Sequence, residues 1–67
     1  MTETFDDWPY RIKVWNKQTS WQYMYWFYSI DILGRLVVPR REAQSRNQAF
    51  FEAKAMVAML KMKDGGN

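Results

Sequence analysis

The chain has 67 residues and a formal charge of +3, with ten Lys and Arg against seven Asp and Glu. It contains neither Cys nor His, but four each of Trp, Tyr and Phe. One small domain is the only architecture this length allows. Disulfides and thiolate or imidazole metal sites are excluded, along with the commonest catalytic bases and nucleophiles.

Small domains bury a limited share of their surface, so twelve aromatic rings must carry much of the stability. Three of the seven acids, Glu3, Asp6 and Asp7, fall in the first seven residues. Four acids then face ten bases over the rest, a bias toward acidic partners. No stretch approaches the roughly 18 apolar residues of a membrane span. The N-terminal MTETFDDWP lacks the basic and apolar regions of a secretory signal, so a cytoplasmic, intracellular location is expected.

In chain order, residues 1–9 are expected to form a mobile acidic arm. Tyr10–Trp15 alternates, with Tyr10, Ile12 and Val14 on one side and Arg11, Lys13 and Trp15 on the other, and predicts a half-buried strand. Asn16–Thr19 is expected as a polar loop. Trp21–Ile30, WQYMYWFYSI, is the best strand and is expected at the centre. Both of its faces are apolar: Trp21, Tyr23, Tyr25 and Phe27 against Met24, Trp26, Tyr28 and Ile30.

Leu33-Gly34 is expected as a hairpin turn, followed by a short third strand, Arg35–Val38, that stops at Pro39. Arg40–Gln44 is a charged connector. Ser45-Arg46-Asn47-Gln48 fits the capping pattern S-x-x-Q, with Asn47 as a rival cap. The good helix formers from Arg46 to Lys63 predict a helix that Asp64-Gly65-Gly66 ends. The expected fold is therefore α+β: a three-stranded antiparallel meander and one C-terminal helix (βββα) spanning residues 10–63, with a flexible tail at 64–67.

The helix should cover the face carrying Ile12, Val14, Met24, Trp26, Tyr28, Leu36 and Val38. The opposite face would then present Arg11, Lys13 and Trp15 beside Tyr23, Tyr25 and Phe27, with Arg35 and Val37 beyond. Rings stack on bases and cations meet phosphates, so this face is a candidate nucleic-acid surface. Tyr and Arg are equally suited to a protein partner. A purely structural role, with the arm or a second copy covering the rings, is the third option. A one-residue slip in register would exchange the two faces.

On the helix, Ala49, Phe50, Ala53, Met56, Val57 and Leu60 form the stripe expected on the sheet. Phe51, Ala55, Ala58, Met59 and Met62 form a second apolar stripe, which is either ordinary exposed surface or a homodimer or partner interface. Arg35, Arg40, Arg41 and Arg46 are the densest cationic cluster, suited to phosphate, or else a solvated connector paired with Glu42.

The carboxylates are few and scattered, and no phosphate-binding or acidic metal loop occurs, so a non-enzymatic binding protein without cofactor, metal or small-molecule substrate is expected. The three-strands-then-helix outline resembles the arm-type DNA-binding domains at the start of tyrosine recombinases, which implies a sheet placed in the major groove. No motif residue carries over from that family. The short, aromatic-rich chain also looks like small bacteriophage accessory or inhibitor proteins, some of which block host or anti-phage complexes, including CRISPR complexes. The primary expectation is nucleic-acid binding, by phosphate contacts from Arg11, Lys13, Arg35, Arg40 and Arg41 and stacking from Tyr23, Tyr25 and Phe27. The alternative is a phage-type inhibitor of a host protein complex that uses the same face or the second helix stripe.

Overall fold

A computed structural model describes residues 2–18 and 24–65. Five elements follow in chain order: β1 (Thr2–Asp7), β2 (Tyr10–Gln18), β3 (Met24–Ile32), β4 (Arg35–Ala43) and α1 (Arg46–Gly65). The strands form one antiparallel sheet in sequential order. The class is α+β as expected, but with four strands rather than three.

The additional strand is the segment expected as an arm. Thr2–Asp7 pairs with β2 from Thr2↔Trp15 to Asp7↔Tyr10. Its exposure alternates, with Glu3, Phe5 and Asp7 the more covered. A single apolar residue, Phe5, gives the segment almost no hydrophobic signal of its own. Pairing with β2 satisfies the backbone groups on one side of this edge strand, and α1 supplies partners for its inward side chains. The Phe5 ring meets Phe50 edge to face at 4.7 Å, an arrangement worth roughly 0.5–1.5 kcal/mol beyond the area buried. A two-residue turn, Trp8-Pro9, with a cis peptide bond, leads into β2.

β2 runs three residues past its expected end, through Asn16 and Lys17 to Gln18. Ile12↔Ile30 and Val14↔Tyr28 fall in register, so the alternation expected for β2 and β3 holds from Trp26 to Ile30, whereas Met24, expected under the helix, is 49% exposed. Trp21 and Tyr23 lie outside the described residues.

β4 departs most from expectation. It does not stop at Pro39 but continues to Ala43, and the connector expected from Arg40 is strand. Two register shifts make this fit: Tyr28↔Arg41 is followed by Ile30↔Val38, then Ile30↔Val38 by Asp31↔Leu36. Each places one extra residue on β4, as bulges do on edge strands, and Pro39 lies in the first. The second reverses the expected sides. Leu36, expected inside, is 59% exposed, while Val37, expected outside, packs in part against the core.

The β3–β4 turn is the expected Leu33-Gly34, and both residues have positive φ, 49° and 87°. That is the type I′ pattern, in which leucine is a poor occupant of the first position. Leu33 is exposed, and nothing lies within 4 Å of a Cβ added at Gly34. Leu33→Asn should therefore raise stability by about 0.5–1 kcal/mol, and Gly34→Ala should lower it by about 1 kcal/mol through the backbone alone. Urea unfolding of the two variants checks both signs.

Ser45 caps α1: its Oγ accepts from Gln48 N at 3.1 Å. The reciprocal half of the box is displaced by one residue, because Gln48 Oε1 accepts from Gln44 N. Ala49, Ala53 and Val57 are fully buried against Tyr10, Ile12, Val14, Tyr28, Ile30, Val38 and Ala43. The two alanines let the helix approach the sheet closely. Phe50, the remaining aromatic of this stripe, turns to Phe5. Tyr28 is 1% exposed, yet its hydroxyl donates to Glu52 Oε1 at 3.0 Å. Burial, reinforced by that carboxylate, raises the Tyr28 pKa above its ordinary value.

Candidate functional site

The helix covers one face of the sheet only. By register, the other face carries Thr2, Thr4 and Asp6 of β1, then Arg11, Lys13, Trp15 and Lys17 of β2. Beside them lie Tyr25, Phe27, Ser29 and Asp31 of β3. Strand alternation alone puts these side chains together.

Its centre is a row of rings. Trp15 and Phe27 are cross-strand partners, stacked with centroids 5.9 Å apart and planes 27° from parallel. The Arg40 guanidinium lies 5.0 Å from the Phe27 centroid on the β4 side, within cation–π range. The row therefore crosses three strands: Trp15, Phe27, Arg40. Tyr25 extends it along β3 and is 39% exposed. Lys13 and Lys17 flank Trp15 on β2, and both are exposed.

The acidic residues of β1 decide which cations remain available. Glu3 forms a two-pronged ion pair with Arg46 at the start of α1. Asp7 bridges Lys54 at 3.1 Å and Lys61 at 2.5 Å. These pairs hold the Glu3 and Asp7 carboxyls below their usual pKa values, chiefly through the hydrogen bonds from Arg46 and from Lys61 and Lys54. Asp6 accepts from Arg11 Nε at 2.9 Å. Four cations are thus engaged, and no ion pair to Lys13, Lys17, Arg35, Arg40 or Arg41 occurs among the described residues.

The expected site residues are only partly brought together. Lys13, Tyr25, Phe27 and Arg40 share the open face. Arg11 is on it, but between Asp6 and Asp31 in register. Tyr23 lies outside the described residues. The expected arginine cluster does not assemble: Arg46 is turned to Glu3, Arg41 is opposite Tyr28 on the helix side, and Arg35 is beside Ile32 at the hairpin. Arg40 and Arg41 are consecutive residues of β4, so they point to opposite faces.

Two members, Trp15 and Lys17, are not among the expected binding residues. Trp15 is expected on this face by its alternation with Lys13, but stacking is expected only of Tyr23, Tyr25 and Phe27. Lys17 is expected in the loop Asn16–Thr19, yet the alternation of β2 continues through Asn16 to Lys17.

The second stripe of α1 is exposed as its spacing implied, with Phe51, Met59 and Met62 at 69%, 68% and 76%. Ala55 and Ala58 are exposed between them. Among the described residues, no group of three or more Asp or Glu could hold a metal ion, and no helix is long and apolar enough to cross a membrane. Neither protein-family models nor searches of curated proteins and of solved structures gave any match to this chain.

Proposed function

We propose that this chain is a non-enzymatic nucleic-acid-binding protein and that the open face of its sheet is the binding surface. The observation that carries this is the row Trp15–Phe27–Arg40, flanked by Lys13 and Lys17 with no carboxylate partner among the described residues. Lys13 and Lys17 supply the charge for phosphate, Trp15 and Tyr25 supply ring surface for bases, and Phe27, half-buried between the Trp15 ring and the Arg40 guanidinium, backs the row. The β1 acids support the same reading, because each is neutralised by a cation of this chain and so does not oppose the open face.

Fluorescence anisotropy with a labelled oligonucleotide tests this. Log affinity should fall linearly with log salt between about 50 and 200 mM, and Lys13→Gln or Lys17→Gln should each reduce the slope by about 0.7–0.9. Trp15→Ala should weaken binding by about 1–3 kcal/mol while leaving the slope unchanged. Binding that ignores salt, or survives all three changes, refutes the assignment.

The exposed Phe51, Met59 and Met62 favour a second reading, a phage-type accessory or inhibitor that docks on a protein complex, or a homodimer, through α1. Capture from a bacterial lysate separates the two. Partners lost on nuclease treatment support the first, and a protein retained through nuclease and released by Phe51→Ala with Met59→Ala supports the second.

A further inference from the structure

The shape and chemistry of the open face select among nucleic acids. Adjacent strands lie about 4.8 Å apart, so the backbones of β1 and β4 are about 14 Å apart before side chains are added. The major groove of B-DNA, ~12 Å wide, admits a helix or a two-stranded ribbon, and the minor groove is half that width. With four strands rather than three, this sheet is too broad to enter either groove face-on.

The side chains agree. The centre of the face is Trp15, Phe27 and Tyr25: Tyr25 is 39% exposed and Trp15 half-buried, so the two offer ring surface rather than the paired donors and acceptors that read base edges, while Phe27 is held between Trp15 and Arg40. Ring surface is useful only where a base exposes its own face, and in a duplex those faces are stacked on one another. Charge then gives a path. Lys13 and Lys17 lie four residues apart on β2, about 13 Å, and bracket Trp15. Glu42 is in register with Phe27 on the β4 side and is exposed, which disfavours phosphate there. Trp15 is half-buried, and its partner on the side away from Phe27 is Thr2, a small residue.

We infer that the ligand of this face is a single-stranded nucleic acid, with its phosphates along Lys13 and Lys17 and its unpaired bases stacked on Trp15 and on the exposed Arg40 guanidinium at the other end of the row. This rests on the nucleic-acid assignment above and narrows it. It also replaces the major-groove placement implied by the recombinase-like outline.

The test compares three labelled ligands of equal length by anisotropy at low salt: a mixed-sequence single strand, the duplex of the same sequence, and a single strand with abasic sites at its central positions. The single strand should bind at least about tenfold more tightly than the duplex and about tenfold more tightly than the abasic strand, which keeps the phosphates but lacks the rings. Trp15→Leu, which keeps apolar bulk beside Phe27, should bring the intact and abasic strands to within about twofold of each other, with circular dichroism checking the fold. Duplex binding equal to or tighter than single-strand binding overturns the inference while leaving nucleic-acid binding intact, and so does an abasic strand that binds as well as the intact one. No binding to any of the three overturns both.

Discussion

Ile30→Ala should remove a large share of this protein's stability. Ile30 is fully buried on β3, between Ile12 of β2 and Val38 of β4 in register, and belongs to the cluster that α1 closes with Ala49, Ala53 and Val57. Removing a buried isoleucine to alanine costs about 2–5 kcal/mol, because the lost transfer energy is joined by a cavity that the surroundings fill only in part. At roughly 0.05–0.15 kcal/mol per residue, a chain of this length has about 3–10 kcal/mol in total. Ile30→Val removes one methylene and should cost about 0.5–1.5 kcal/mol. Met62→Ala, at a side chain 76% exposed, should change stability by less than about 0.5 kcal/mol. Urea titrations that give the three variants similar midpoints would mean that the interior lies elsewhere.

The interior was legible because two periods meet in it. Ile12 and Val14 alternate along a strand, Ala49, Ala53 and Val57 recur along a helix, and each pattern identifies its own inward side without knowledge of the other. The Leu33-Gly34 turn and the Ser45 cap were legible for a similar reason: their chemistry is local, between residues at most four apart. β1 was not legible, because what makes it a strand is far away in sequence. Glu3 meets Arg46 and Asp7 meets Lys54 and Lys61, separations of 43, 47 and 54 residues. An acidic segment with one phenylalanine has the composition of an arm until those cations are placed beside it. β4 failed differently. Its composition marks a strand edge, but two bulges add residues that simple alternation cannot count, so Leu36 and Val37 change sides, and Arg40 parts from Arg41 because the expected connector is strand. The centre of the open face is unaffected by either, because it lies on β2 and β3, whose register has no bulge.

Acid should loosen β1 before the rest of the sheet. Glu3 and Asp7 have folded-state pKa values below their ordinary 4.5 and 3.8, so each contributes stability that is fully present above those values. That contribution is lost as pH falls through the lower, folded-state values, and by linkage the loss belongs to the contacts those carboxylates make. Both are on the helix side of an edge strand, and Phe5 is the only apolar side chain of the segment. Amide exchange at Thr4–Asp7 should therefore accelerate as pH falls below about 4, after correction for intrinsic rates, while Tyr28 and Ile30 amides hold their protection. Glu3→Gln with Asp7→Asn should flatten the pH dependence of β1 protection and lower it at neutral pH. High salt should act in the same direction, since partly exposed pairs are screened. Uniform loss of protection over all four strands would show that β1 is no weaker than the rest. The same pairs bear on the binding face. Arg46→Gln with Lys61→Gln leaves the acids in place but removes two of their partners. A strand released in that way carries Glu3, Asp6 and Asp7 next to Lys13 and Trp15, where they compete with phosphate. Oligonucleotide affinity should fall several-fold although neither substituted residue lies on the open face, and the loss should shrink at high salt. A purely local role for Arg46 and Lys61 would leave affinity unchanged.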